Sequence, residues 1–225
     1  MNSIEKRYLT KIDEINQLFY KPTETYDSAE SLKQAVHDFL VDMYLEGFAA
    51  TGYLLNDGER SADFGVIEEL ILLNIGGKTL YDRIDEYYAF SAANNTPKTE
   101  NGQIRAVQTE TEVLEKEKPS QKAKIPDGNT GITPDEAILR VIETESHRMY
   151  GSGSRNRAVS AGAKYKEWVT MADDKVRDSH SYIEGEKVGI DDYFFTYDGD
   201  SALMPGGFEL PENNVNCRCW LSYSF

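Results

Sequence analysis

The sequence predicts an α+β protein with a helical N-terminal region, a polar connector and a small C-terminal α+β module with short antiparallel strands. Three observations lead to this prediction. Apolar residues recur at helical spacing over residues 1–93, and large apolar residues become sparse over residues 94–133. Near the C-terminus, short aromatic and β-branched runs alternate with turn residues. We therefore expect three parts, at residues 1–93, 94–133 and 134–225.

The composition limits the classes of protein that this chain can represent. Its 225 residues are 40% hydrophobic and 28% charged, as in ordinary globular proteins, which excludes full-length disorder and fibrous repeats. The formal net charge of −15 repels DNA phosphates and anionic lipid head groups, which argues against a sequence-specific DNA-binding protein. No apolar stretch has the length of a signal peptide or a membrane span, so we expect a soluble protein made in the cytoplasm.

The N-terminal region is predicted to contain four helices. The first begins near Ile4 and ends before Pro22, because the residue before a proline avoids the helical conformation. Asp27 or Ser28 caps the second helix, which continues through Leu54. The remaining two helices are predicted from the apolar residues of 66–73 and 80–88.

The predicted connector, residues 94–133, is rich in Asn, Thr, Lys, Glu, Pro and Gly. One interpretation is a solvated linker with a single polar helix near Gln103–Lys116. The other is an arm that becomes ordered only on a neighbouring subunit. The composition favours the linker, since polar segments of this kind are common.

A strong helix start marks the C-terminal module. Thr133 is a capping residue, Pro134 takes the first helical position, and Glu136 can return a hydrogen bond to the cap. We expect this helix to break at the glycine-serine run of residues 150–154 and a further helix to cover residues 155–168. Short strands are then predicted at residues 193–197 and 217–223.

Asp173, Arg177 and His180 lie at helical spacing. If this segment is helical, the three side chains share one face, and Asp173 would fix Arg177 while His180 does proton or metal work. The alternative is a salt-bridged helix surface of little energetic weight.

Cys217 and Cys219 are separated by one residue, so their side chains would point to the same side of a strand. With His180 they form a candidate zinc site, although the spacing is shorter than is usual for zinc cysteines. Two alternatives stay open. The cysteines are small buried residues, or one of them is a nucleophile with His180 as its base.

Several other residues are weaker candidates for a functional site. His147 is interpreted as a surface or core histidine on a helix, and Asp198 and Asp200 as turn caps without calcium-loop spacing. One basic stretch either contacts DNA or an acidic protein surface, or forms a solvated helix face; it comprises Arg148, Arg155, Arg157, Lys164 and Lys166.

The order of these features along the chain is more specific than any one of them. A helix carries Thr144-Glu145; Trp168 is followed by Asp173, Arg177 and His180; and the chain closes with Asn216-Cys217-Arg218-Cys219. In this order the sequence resembles the phage Mu F-like, or SPP1 gp7-like, family of minor head proteins, most strongly over residues 140–221. Residues 1–60 are similar to it only as a generic helical region.

The resemblance implies a head component of a tailed bacteriophage or prophage. Such a protein is made with the portal protein and the major capsid protein, attaches near the portal, and acts in head morphogenesis and genome packaging or delivery. We would then find it in the virion, and in the host cytoplasm during assembly, with at most non-specific contact with packaged double-stranded DNA. The family's closing cysteine motif is suspected of binding metal.

The leading hypothesis is therefore a structural protein without catalytic residues, since the chain ends just after Cys219 and has no room for a C-terminal enzyme. Asp173, Arg177 and His180 would hold the C-terminal hairpins in place, and the cysteines would close the fold with or without zinc. One rival is a metal- or cysteine-dependent hydrolase centred on His180 and Cys217 or Cys219. Another is a prophage remnant that binds a host or phage protein.

Overall fold

A computed structural model describes residues 3–56, 58, 60–74, 77–95 and 132–225. The predicted polar helix near Gln103–Lys116 and most of the predicted connector lie outside these residues. The described chain is helical in its first half and ends in a region of short antiparallel strands, which confirms the α+β prediction. The predicted division at residues 93 and 133 stays a prediction.

The four predicted N-terminal helices are present, with one additional short helix between the first two. The helices are α1 (Ser3–Phe19), the short α2 (Pro22–Thr25), α3 (Ala29–Leu54), α4 (Phe64–Ile71) and α5 (Leu80–Asn95). Ser28 caps α3, because its hydroxyl accepts from the Ser31 backbone N–H while the Ser31 side chain accepts from the Ser28 N–H. Of the described helices, none has the length and apolar character needed to span a bilayer.

The sixth helix, α6 (Pro134–Ala161), corrects two predictions. It begins with the predicted reciprocal cap between Thr133 and Glu136, but it continues without a break through the glycine-serine run of residues 150–154. The expected second helix up to Trp168 is also wrong. Gly162 adopts the left-handed conformation with φ of 88° and ends α6, after which the chain turns into a strand.

Close packing of α6 on α3 explains why glycines occur inside both helices. A Cβ atom on Gly47 would lie 2.1 Å from the carbonyl oxygen of Tyr150, and one on Gly153 would lie 2.0 Å from that of Tyr44. Only a residue without a side chain permits this approach. The glycines in α6 thus serve helix packing rather than helix termination.

The helices enclose one apolar core. Buried side chains from α1, α3, α4 and α5 meet those of Ile138, Ile142 and Met149 from α6. Because α6 contributes to this core and also leads into the C-terminal strands, it positions those strands against the helices.

The C-terminal region forms a second, smaller apolar core. Its elements are β1 (Tyr165–Val169), α7 (Asp178–Tyr182), β2 (Lys187–Gly189), β3 (Phe194–Phe195), β4 (Ser201–Ala202), α8 (Pro211–Asn214) and β5 (Trp220–Ser224). An antiparallel sheet has the order β2-β1-β5, and β3 pairs with β4 as a hairpin. The two strand predictions are confirmed in position, although both strands are shorter than expected. Trp168, Phe194 and Phe208 lie at the centre of this core.

Candidate functional site

The candidate metal ligands converge in the smaller core. Nδ1 of His180 lies 3.3 Å from Sγ of Cys219 and 3.7 Å from Sγ of Cys217. The three ligand atoms all fall within 4.8 Å of one another, and all three residues are buried. The structure therefore assembles the trio that the sequence predicted from separate segments.

Aromatic side chains fix the orientation of His180. Its ring stacks on Phe208 at a centroid distance of 5.3 Å and meets Trp168 edge to face, also at 5.3 Å. Trp168 is fully buried and contacts Phe194 in the same way. These contacts confine the imidazole, so its Nδ1 atom stays directed at the two sulfur atoms.

Asn216 turns the chain into the cysteine segment. Its φ of 56° places it in the left-handed conformation, which asparagine tolerates better than most side chains. The next backbone N–H, of Cys217, donates to the carbonyl of Asn214 at the end of α8. The asparagine that begins the closing motif thus has a conformational role in bringing both sulfurs to His180.

The predicted partnership of Asp173 with Arg177 is wrong. Helix α7 begins at Asp178, so Asp173 lies outside it, and the three residues do not share a helical face. Asp173 instead accepts two hydrogen bonds of 2.7 Å from Arg218, and this pairing lowers the pKa of Asp173 to about 2. The acidic residue therefore orients the arginine between the two cysteines.

Arg177 holds the chain that leads to the cysteines. Its guanidinium donates to the backbone carbonyls of Glu212 and Val215, which flank the end of α8. Hydrogen bonds from a charged donor to backbone carbonyls are stronger than neutral ones. Arg177 and Asp173 thus stabilise the segment that carries the two cysteines through two separate sets of hydrogen bonds.

Thr144 and Glu145 lie on α6, where the sequence predicted them. The Thr144 hydroxyl donates to the Arg140 carbonyl of the preceding turn. Glu145 pairs with the buried Arg148 at 2.6 Å, and Arg148 also donates to the Leu70 carbonyl at the end of α4. This pair of residues supports helix packing, and neither is among the ligand atoms of the cluster.

Most of the basic stretch faces inward, contrary to both interpretations of it. Arg148, Arg157 and Lys166 are buried. Arg157 donates to the Gly58 carbonyl at 2.7 Å, and Lys166 donates to the Leu203 carbonyl at 2.8 Å, where burial lowers the lysine pKa to about 8. These cations satisfy loop carbonyls instead of forming a basic surface.

The predicted turn-capping role of the acidic residues is confirmed. Asp200 is buried and accepts hydrogen bonds from the backbone N–H groups of Ser201, Glu209 and Leu210, and from the amide of Asn213. Asp198 accepts from the Thr196 hydroxyl and from Asn213. Because both carboxylates accept hydrogen bonds from Asn213, Asp198 and Asp200 hold α8 against the β3–β4 hairpin.

His147 belongs to the site, although its sequence context suggested nothing more than a surface or core histidine. It is buried and lines a cleft together with Cys219 and Trp220, and it is one of the groups that lower the pKa of Cys217. The one signal in the sequence was the small number of soft metal ligands, since the chain has only three histidines and two cysteines. Spacing gave no signal, because His147 on α6 and the two cysteines lie far apart in the sequence.

The pKa values of the two thiols are shifted in opposite directions. Burial opposes ionisation of Cys217, but the neighbouring Cys219, His147 and His180 side chains outweigh it and hold the pKa of Cys217 well below its ordinary value. The hydrogen bond with Cys217, together with burial, raises the pKa of Cys219. Cys217 therefore loses its proton more readily than Cys219 does.

The ligand atoms of His180, Cys217 and Cys219 suit a zinc ion better than they suit a catalytic cysteine–histidine pair. Imidazole nitrogen and thiolate sulfur are the ligands that zinc prefers in structural sites. In a nucleophilic cysteine–histidine pair, the second ring nitrogen of the histidine donates to a third group, which stabilises the imidazolium. Nε2 of His180 is buried, and no described residue offers it a hydrogen-bond partner. The geometry therefore best supports a structural role, in which His180, Cys217 and Cys219 hold α7 against the segment before β5.

Comparisons with known proteins give independent information. A family model described as phage Mu protein F like protein matches residues 100–222, more than half of the chain. Minor head protein GP7 of Bacillus phage SPP1 is 30% identical over 83 residues, which are 36% of this chain and 27% of that protein. The NAD(+)--arginine ADP-ribosyltransferase EFV of Enterococcus faecalis is 23% identical over 224 residues, which are 95% of this chain and 42% of that protein. The chain thus spans less than half of either relative, and no solved structure matches it significantly.

Proposed function

Because this chain belongs to the phage Mu protein F-like family, we propose that it is a minor head protein of a tailed bacteriophage or prophage. The observation that carries the proposal is the family match over residues 100–222, which contains the cysteine–histidine cluster. The similarity to a phage minor head protein agrees with it. The match also confirms the resemblance that the motif order predicted.

The finer part of the proposal concerns partners and location. We propose that the protein associates with the portal protein and the major capsid protein, and that it acts in head morphogenesis and genome packaging or delivery. It would lie in the virion at the portal vertex, and in the host cytoplasm during assembly. Contact with packaged DNA has the least support, because the net charge is −15 and three of the five residues in the basic stretch are buried.

Particle composition tests the proposed function directly. We expect quantitative mass spectrometry of purified procapsids and mature particles to find this chain in both, at a few to a few tens of copies per head. The portal protein in the same samples is the internal copy-number standard. Presence in procapsids alone would indicate a scaffold-like role, and absence from both would exclude a head protein.

We propose that the cluster of His180, Cys217 and Cys219 closes the C-terminal fold and holds a structural zinc ion. Burial of all three residues supports a closed structural site over an open catalytic one. When bound, zinc would supply fixed coordination between α7 and the segment before β5. The protein's own residues orient the ligands: Trp168 and Phe208 hold the imidazole, and Arg177 holds the chain before the cysteines.

The lowered pKa of Cys217 favours a second candidate function, a hydrolase with a cysteine nucleophile and His180 as base. The two functions predict different effects of one substitution. For a structural cluster, His180→Ala should lower the free energy of unfolding by about 2 kcal/mol, because it opens a cavity between Trp168 and Phe208 and removes the imidazole that contacts both thiols. For a catalytic cluster it should abolish activity and leave stability nearly intact.

Thermal and urea unfolding monitored by circular dichroism measure this effect. The matched control is His37→Ala, since His37 pairs with Glu68 at the surface of the helical region and its loss should cost less than about 0.5 kcal/mol. An unchanged melting temperature for His180→Ala, with loss of ester hydrolysis in the same preparation, would favour the hydrolase. Because one relative is an ADP-ribosyltransferase, the wild-type protein is also assayed with NAD⁺ and an arginine-containing acceptor; we propose that no transfer occurs.

A further inference from the structure

Four of the five histidine and cysteine side chains in this chain are buried in or beside the smaller core. The sequence has three histidines and two cysteines. Nδ1 of His180 contacts both sulfurs, and His147 is buried and lines one cleft together with Cys219. His37 lies elsewhere, on α3, in an ion pair with Glu68. A chance distribution of so few soft ligands would not bring four of them together in the interior.

The two histidines approach the cysteines from different elements. His180 comes from α7, within the smaller core. His147 comes from α6, between the core residues Ile142 and Met149, and it shares a cleft with Cys219. His147 lies outside the group of three ligand atoms that are within 4.8 Å of one another, so its ring has to move towards that group to bind the same ion.

Charge balance favours four ligands of this kind. Two thiolates neutralise one divalent cation, and two neutral imidazoles complete the coordination, so the buried site carries no net charge. Without the cation, two buried thiolates in contact would repel each other. Three ligands would leave one coordination position to solvent, which the burial of the cluster disfavours.

We infer that His147 is the fourth ligand of a metal centre with His180, Cys217 and Cys219, and that this centre fastens α6 to the C-terminal sheet. The inference rests on the structural role proposed above for the cluster, and it extends that role. His147 is part of the helix that completes the larger core, and both cysteines belong to the smaller core. A metal bound by all four would therefore join the two cores directly, and folding of the smaller core would become dependent on the metal.

Cobalt and zinc binding to the full chain tests the inference. The protein is reduced, stripped of metal with a chelator and titrated with Co²⁺, and Zn²⁺ competition then gives the affinity. We expect one metal per chain, absorption bands typical of tetrahedral cobalt, and thiolate-to-cobalt charge transfer. His147→Ala should weaken Zn²⁺ binding by about 10-fold or more and change the cobalt spectrum. The control His37→Ala should bind as the wild type does.

A second variant covers the case in which His147→Ala fails to fold. His147→Cys keeps a soft ligand at the same position, so it should retain tetrahedral cobalt with stronger thiolate charge transfer. Wild-type affinity and an unchanged spectrum in His147→Ala would overturn the assignment of His147 while leaving the three-residue zinc site intact. No metal uptake by the wild type would overturn both. Neither result bears on the head-protein proposal, which depends on particle composition.

Discussion

Gly153→Ala should destabilise the protein by about 3 kcal/mol, although alanine is normally the better helix former. The added Cβ would lie 2.0 Å from the Tyr44 carbonyl oxygen and 3.0 Å from the Phe48 backbone nitrogen. Both are backbone atoms in the middle of α3, so no side chain can rotate away to make room. The two helices would have to separate, and this would open the core around Met43 and Met149.

Gly151→Ala is the matched control for this prediction. Gly151 lies on the same helix, and its Cβ would meet the Pro205 carbonyl oxygen at 3.3 Å, a tight contact that a small shift relieves. The gain in helix propensity of about 1 kcal/mol offsets that contact, so the net effect should be small. Urea unfolding curves of the two variants and the wild type give the comparison. Equal stability of Gly153→Ala and Gly151→Ala would show that α3 and α6 are not in close contact in solution.

These glycines also show a case in which the local sequence does not predict the secondary structure. The glycine-serine run of residues 150–154 has the composition of a helix break, and a break was predicted there. In the structure, Ser152 donates to the Arg148 carbonyl within the helix, and the Gly153 backbone packs on a distant helix. The N-terminal helices, by contrast, were predictable because caps such as Ser28 and a proline such as Pro22 act on their immediate neighbours.

Three members of the candidate site were predictable, but His147 and the pairings around the site were not. The order of motifs indicated His180, Cys217 and Cys219 together, and they meet. Helical spacing indicated that Asp173 pairs with Arg177, whereas Arg218 takes Asp173. The segment before Asp178 is not helical, so spacing along it carries no information about which side chains face each other. His147 was missed for a related reason, since its partner Cys217 lies far along the chain.

The prediction that the basic stretch lies at the surface was wrong for a different physical reason. A run of cations on a helix normally indicates a solvated face, but Arg157 lies under the Phe48 ring at 5.4 Å and binds a loop carbonyl. Arginine can be buried when its donors find acceptors and its plane finds an aromatic ring. The sequence contains no local sign of such acceptors, because the Gly58 carbonyl belongs to the loop after α3.

Trp168→Ala should have the largest effect of any single substitution in the C-terminal region, with a loss of about 3–5 kcal/mol in the free energy of unfolding. Trp168 is fully buried and contacts His180, Phe194 and Phe208 with ring centroids 5.1–5.6 Å away. Truncation would leave a cavity of indole size beside the cluster. The imidazole would lose its edge-to-face contact, so metal binding should weaken together with stability.

The second tryptophan of the chain provides the control. Trp220 is only partly buried and lies at the start of β5, opposite Val169, so Trp220→Ala should cost about 1 kcal/mol. Far-UV circular dichroism during urea unfolding measures both variants, and zinc competition measures the state of the cluster. If Trp168 belonged to an open binding surface instead of the second core, the two substitutions would cost similar amounts of stability. A large difference would establish that the tryptophan of the family motif positions the histidine from within the core.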